Sequence, residues 1–156
     1  MEIQRPERDN PTVSRAPAPT SPDRRLEAAT RLRHDLGKAV RFSAPAGGPP
    51  ESADALRARL IADLLETRNA PGETLDAPAV FDRWIDEDGS ALDGDPEAAA
   101  RLERIRAAID AMRPRLTRLR TLEAAELREL DDAARVVDEE TRALRGDLAR
   151  AAREAI

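Results

Sequence analysis

Apolar side chains recur at alternating three- and four-residue intervals through most of the second half of the chain. This spacing keeps them on one face of an α-helix and is typical of helices that pack side by side. The apolar positions form two such seams, one before and one after residues 121–126. The seams are out of phase with each other, so the chain either turns back at 121–126 or continues as one helix with a stutter. Pro114 is expected to kink or end the first helix near Met112 to Arg113. The first seam comprises Leu102, Ile105, Ile109, Met112, Leu116 and Leu119, and the second comprises Leu127, Leu130, Ala134, Val137, Thr141, Leu144, Leu148 and Ala151.

The composition favours the same class of fold. Aromatic residues make up 2% of the chain and charged residues 37%, and no segment has the alternating, β-branched pattern of a strand. We therefore predict an all-α protein, with a helical hairpin and long heptad-bearing helices, similar to a four-helix bundle with coiled-coil character. We expect the apolar stripe to be longer than one short bundle covers, which predicts a homodimer.

Helix caps and breakers divide the chain into four predicted segments. The first helix begins after Ser21 and runs to about Ser43, and the second runs from Ser52 to about Arg68. An alanine-proline-glycine turn at 44–50 should make these two helices an antiparallel hairpin. The four segments are a disordered proline-rich tail (1–20), the hairpin (21–69), a linker with a short helix (70–95) and the long helices (96–156).

The linker carries most of the large side chains. A short helix over about Asp76 to Glu87 should present Phe81, Trp84 and Ile85. We favour their packing as a lid over the bundle seam, and a patch that docks a partner is the alternative.

An acidic stretch in the linker has the spacing of an EF-hand-like calcium loop. Position six of that pattern requires glycine, and Ala91 stands there. A solvated loop is therefore favoured over a calcium site. The first, third, fifth and twelfth positions are occupied by Asp86, Asp88, Ser90 and Glu97.

The only histidine, His34, and the only lysine, Lys38, lie four residues apart in the first predicted helix and thus share a face. Stepping about 100° per residue places His34 roughly 150° from the centre of the apolar face, so it should be exposed. A neutral imidazole is a nucleophile and can accept a phosphoryl group. Lys38, Arg31 and Arg41 lie on the same side and would stabilise the added negative charge.

Two neighbours complete this candidate site. Asp35 can orient the imidazole or take its proton if its rotamer brings it back toward His34. Gly37 would leave space beside the imidazole for a docking partner, and close helix packing is the alternative reason for that glycine. An ordinary solvated histidine is the alternative interpretation of the whole site.

The residues R-H-D-L (33–36), followed by Val40, resemble the phosphoacceptor helix of sensor histidine kinases and of sporulation-type phosphotransferases. Lys38 stands where that pattern has asparagine. His34, Leu36 and the adjoining glycine and lysine also resemble the H-x-L-K-G core of histidine phosphotransfer domains. Both families carry the histidine on a helical bundle and exchange phosphoryl groups with receiver-domain aspartates.

This resemblance implies a phosphorelay component whose partner is a receiver-domain or histidine-kinase protein. No glycine-rich phosphate loop or separate α/β region indicates an ATP-binding domain, so another protein would supply the phosphoryl group. We assign catalytic roles to His34, Asp35 and Lys38, and partner-binding roles to Arg31, Gly37 and Arg41.

The same stretch, H-D-L-G-K (34–38), also matches the signature of HD-domain metal phosphohydrolases. That family needs several further histidines to bind its metals, whereas this chain has one. We exclude that mechanism and predict neither a metal nor a cofactor. A degenerate relative that keeps only the fold remains an alternative.

Charge is unevenly distributed along the chain. Residues 1–50 carry 9 basic and 6 acidic side chains, whereas residues 51–156 carry 17 and 25. The acidic majority argues against nucleic acid as a partner, and the basic face around His34 suits an acidic protein surface. Without an apolar signal core, a long apolar run or cysteine, the sequence predicts a cytoplasmic protein that does not bind membranes.

One further function is compatible with these patterns. A non-enzymatic helical scaffold or adaptor acting through coiled-coil contacts would explain the long charged heptads without any role for His34.

Overall fold

The computed structural model describes residues 20–43, 51–66 and 76–155, and in these ranges it contains five α-helices and no strand. The predicted all-α bundle is confirmed. A π-helical turn, Ile61–Leu65, extends α2, and 3₁₀ turns follow α3 and α4. The helices are α1 (Pro22–Ala39), α2 (Ala53–Leu60), α3 (Ala77–Asp88), α4 (Pro96–Leu116) and α5 (Ala124–Glu154).

The first four helices begin where a short polar side chain precedes them. Ser21 and Ser52 each accept a hydrogen bond from the backbone N–H three residues further on, and Asp76 does the same. Asp95 accepts from the N–H groups of two residues in the first turn of α4. These caps satisfy amide groups that have no partner within the helix. The starts predicted at Ser21, Ser52 and Asp95 are confirmed.

Helix α1 ends at Ala39, short of the predicted end near Ser43. The backbone N–H of Arg41 donates to the carbonyl oxygen of Asp63, 3.1 Å away. The N–H and hydroxyl of Ser43 donate to the Asp63 carboxylate at 3.0 and 2.8 Å. These tertiary bonds replace the helical ones and divert the chain from the axis of α1. The predicted turn at 44–50 and residues 1–19 of the predicted tail lie outside the described ranges.

Helix α2 packs mainly against α5 and the turn before it, rather than along α1. The Arg59 guanidinium bridges Glu51, at 2.7 Å, and Asp131 of α5, at 3.3 Å. Arg57 donates to the backbone carbonyl of Leu122. The first two helices therefore share a partner helix, and residues 21–66 do not pack as a separate two-helix unit.

The chain turns back between α4 and α5. A turn and a 3₁₀ segment, Leu119–Thr121, separate the two helices, which resolves the alternatives left by the out-of-phase seams. Arg101 pairs with Asp147 at 2.8 Å and Arg115 pairs with Glu129 at 2.6 Å, so the helices run antiparallel.

Pro114 does not end α4 at the predicted place. The helix continues to Leu116, two residues beyond the proline. Proline removes one i→i−4 hydrogen bond, and near the end of a helix few later bonds depend on it. The predicted end at Met112 to Arg113 was therefore wrong, whereas the alternative of a kink there stays a prediction.

Most positions of both seams are buried within a single chain, and Leu102 and Leu116 of the first seam are partly buried. In α5, Ala152 rather than Ala151 is buried, and the other predicted seam positions are confirmed as core. The homodimer prediction rested on an uncovered stripe, which the described residues do not show. Homodimerisation stays a prediction. The buried α5 positions are Leu127, Leu130, Ala133, Ala134, Val137, Thr141, Leu144, Leu148 and Ala152.

The aromatic side chains of α3 belong to the core. Phe81 is fully buried and Trp84 is 2% exposed, with its indole N–H donating to the carbonyl oxygen of Ala28 in α1 at 2.8 Å. The prediction of a lid over the bundle is confirmed for these two residues, whereas Ile85 is only partly buried. Among the described helices, none is both long and apolar enough to cross a lipid bilayer.

Candidate functional site

The outward face of α1 carries His34 in an exposed position. Leu32 and Leu36, which are 0% and 1% exposed, fix the rotation of the helix against the core. His34 lies between them in sequence and consequently points to solvent. Within the described ranges no hydrogen bond joins its imidazole to another residue, so the predicted exposed histidine is confirmed.

Two cations, Lys38 and Arg41, follow His34 closely along the chain. Lys38, one turn further along α1, is partly exposed, and Arg41 is exposed just beyond the helix end. Neither side chain forms a salt bridge with any residue that the structure describes. Their charges remain available to an incoming anion.

Arg31 differs from those two cations. Its guanidinium lies 3.1 Å from the carboxylate of Asp88, whose side chain is 3% exposed. Arg24 contacts the other oxygen of the same carboxylate at 3.0 Å. Two arginines of α1 therefore neutralise one buried acid of α3, and Arg31 is not the free partner-binding cation that the sequence predicted.

Asp35 and Gly37 occupy different environments. Asp35 is partly buried, and no hydrogen bond connects it to His34 in the described part of the chain. The predicted role of Asp35 in orienting the His34 imidazole would require another rotamer of the Asp35 side chain. A Cβ atom built on Gly37 would meet nothing within 4 Å. Close helix packing is therefore not the reason for this glycine, and the space beside it is open.

A cleft between α1 and α5 adjoins this face, and it was not predicted. Its volume is about 290 Å³, and it is open to solvent. Gly37 lines it from α1, one turn after His34, and Arg41 lines it from the segment just beyond the end of α1. The other lining residues are Arg33, Leu36, Val40, Phe42, Val137, Asp138, Thr141 and Arg142.

The Arg33 side chain links the two helices that form the cleft. Its Nη1 donates to the Asp138 carboxylate at 2.8 Å, to the Asp138 carbonyl at 3.0 Å and to the Thr141 hydroxyl at 3.1 Å. Thr141 is 1% exposed and donates to the carbonyl of Val137. A polar threonine at an otherwise apolar seam position was the sequence signal for this site.

The acidic stretch over residues 86–97 does not form a metal site. Asp86 and Asp88 belong to α3, residues 89–92 form a 3₁₀ turn, and the Asp88 carboxylate is already bound by two arginines. In the described ranges, no cluster of three histidine or acidic side chains is placed to hold a metal ion. The solvated-loop interpretation was wrong for residues 86–92.

Comparison with protein-family models, curated proteins and solved structures gave no match. Function is therefore inferred from the site residues. Four of the six predicted residues, His34, Gly37, Lys38 and Arg41, have no charged or hydrogen-bonding side-chain partner among the described residues, while Arg31 pairs with Asp88.

Proposed function

We propose that the protein is a phosphorelay component whose His34 accepts a phosphoryl group and passes it on. The observation that carries this proposal is the exposed imidazole of His34, one turn before the ammonium of Lys38. Neither group has a hydrogen-bond or salt-bridge partner among the described residues. A nucleophile must reach its substrate, and a nearby fixed cation stabilises the charge that develops on the transferred group.

The transfer begins with a phosphorylated aspartate on a receiver-domain protein. The unprotonated nitrogen of His34 attacks phosphorus, a P–N bond forms, and the acyl P–O bond breaks with release of the aspartate carboxylate. The imidazole loses its N–H proton to solvent after the attack. Transfer in the other direction reverses these steps, and a histidine-kinase protein is the other candidate donor.

Lys38 and Arg41 are proposed to stabilise the equatorial phosphoryl oxygens. Within the described structure no acidic side chain forms a salt bridge with either group, so neither charge is offset there. Arg31 contributes less, since its charge offsets that of Asp88. Gly37 leaves the partner room to approach the imidazole.

The alternative is a helical adaptor that acts through its surface. The heptad seam of α5 is buried within the chain, so an adaptor would have to use other faces than the seam.

Phosphoryl uptake from a phosphorylated receiver domain tests the proposal. The intact chain should acquire acid-labile, base-stable phosphate, and His34→Gln should acquire none because the chain has no other histidine. Lys38→Ala should transfer roughly three- to tenfold more slowly, as expected for one electrostatic contact in an open site. Arg31→Ala is the matched control, since it removes a neighbouring cation that is already paired. Equal uptake by the chain and His34→Gln would refute the proposal.

A further inference from the structure

The floor of the cleft between α1 and α5 includes apolar residues that are at most 7% exposed, and a gap lies beside Gly37. Leu36, Val40 and Val137 form much of the floor, and Phe42 lies at its margin under the guanidinium of Arg135, 4.6 Å from the ring centroid. The volume of about 290 Å³ lies at the lower limit for small-molecule pockets, and the cleft is open to solvent. It therefore suits a single protruding side chain better than an enclosed small molecule.

The lining of the cleft is basic, although the chain as a whole has a net charge of −5. Three arginines, Arg33, Arg41 and Arg142, surround it, and Asp138 is the one acid among the lining residues. This local excess of positive charge is complementary to an acidic surface.

Two of the arginines are held in place before any ligand binds. Asp138 accepts from Arg33 at 2.8 Å and from Arg142 at 3.0 Å. The Arg142 side chain is 67% exposed, so its other N–H groups face solvent. Fixed guanidinium groups bind carboxylates with a smaller loss of conformational entropy.

We propose that this cleft docks an acidic segment of a partner protein, which inserts one apolar side chain beside Gly37. The carboxylates of the segment pair with Arg41 and Arg142, and the apolar side chain covers the floor. This docking does not require His34 and does not rest on the proposed phosphoryl transfer.

A synthetic peptide of glutamate and alanine with one central leucine, labelled with an uncharged dye, is the probe. Its binding to the full chain is measured by fluorescence anisotropy at low salt. Gly37→Leu fills the gap and should weaken binding about tenfold. This is the scale expected when the leucine of the peptide can no longer be buried in the cleft. Gly146→Leu is the matched control, because it is also a helical glycine with nothing within 4 Å, but it does not line the cleft. It should change the affinity less than about twofold.

Four further measurements separate the contributions of charge, of the apolar side chain and of His34 to binding. Arg41→Gln should weaken binding about fivefold and reduce its dependence on salt. His34→Gln should bind the peptide like the unmodified chain. A peptide with lysine in place of glutamate, or one without the leucine, should bind much more weakly.

The proposal is overturned if the peptide does not bind, or if Gly37→Leu and Gly146→Leu bind it equally. It is also overturned if the chain self-associates in sedimentation experiments and Gly37→Leu abolishes that association, because the occupant would then be a second copy. Circular dichroism of both leucine variants should match the unmodified chain, since leucine favours helix over glycine.

Discussion

The guanidinium of Arg31 lies 3.1 Å from the carboxylate of Asp88, an acid whose side chain is 3% exposed. This contact joins the helix of the candidate site to α3, which carries Trp84. Arg24 binds the same carboxylate, so the buried charge has two partners from one helix.

We predict that the two arginines act redundantly. Arg24→Ala or Arg31→Ala alone should lower the free energy of unfolding by about 0.5–1 kcal/mol, because the remaining arginine still pairs with Asp88. The double variant leaves a buried carboxylate unpaired and should lose about 3 kcal/mol or more. Urea unfolding followed by Trp84 fluorescence measures these values. Strictly additive losses would contradict the shared role.

Two exposed glycines within helices weaken the fold. Gly37→Ala and Gly146→Ala should each raise the free energy of unfolding by about 0.5–1 kcal/mol, because alanine loses less backbone entropy in a helix and its Cβ meets nothing within 4 Å. Thermal unfolding by circular dichroism checks this expectation. A thermal unfolding midpoint lower than that of the unmodified chain, for either variant, would show that the space beside that glycine is occupied.

The tryptophan of α3 is expected to hold α3 onto α1. Trp84→Phe removes the indole N–H that donates to Ala28 and leaves part of its volume empty. We expect a loss of about 2–3 kcal/mol in the free energy of unfolding. Chemical denaturation followed by circular dichroism is the suitable measurement, since the variant lacks the fluorophore. An unchanged midpoint would place Trp84 outside the core.

Acid should weaken several ion pairs of the folded chain. Hydrogen bonds from Arg59 and Arg113 lower the pKa of Glu51 and of Asp82, respectively. Burial raises the pKa of Asp147, but its hydrogen bonds from Arg150 and Arg101 outweigh that effect and lower it overall.

A carboxyl group with a lowered pKa in the folded state stabilises the fold above its unfolded pKa. That contribution is lost as the pH falls through the folded pKa. The free energy of unfolding should therefore be constant between about pH 7 and 5 and decrease below about pH 4. Asp82→Asn should make this decrease shallower. Denaturation midpoints over that pH range provide the test, and a stability that rises below pH 4 would contradict it.

Local chemistry was sufficient to predict where helices begin. Ser21, Ser52 and Asp95 each precede a helix with which their own side chain bonds, so the signal lies within four residues of sequence. The exposure of His34 likewise follows from the spacing of Leu32 and Leu36 around it.

Features set by distant residues could not be predicted in this way. The end of α1 depends on hydrogen bonds to Asp63. The charge of Arg31 is offset by Asp88, which lies 57 residues away in the sequence. The cleft beside Gly37 requires α5, with Arg33 and Asp138 separated by 105 residues. No local sequence pattern indicates with which acidic side chain an arginine will form a salt bridge.

The proposed role of His34 predicts that folding makes its imidazole more reactive. The most direct measurement is the rate of His34 phosphorylation by phosphoramidate, a small donor that transfers its phosphoryl group and releases ammonia, in the folded chain and in the chain unfolded by urea. Because folding fixes Lys38 one turn from the imidazole, the folded chain should react about tenfold faster, and Lys38→Ala should remove most of that difference. Equal rates in the folded and unfolded chains would show an ordinary solvated histidine and contradict the proposed function.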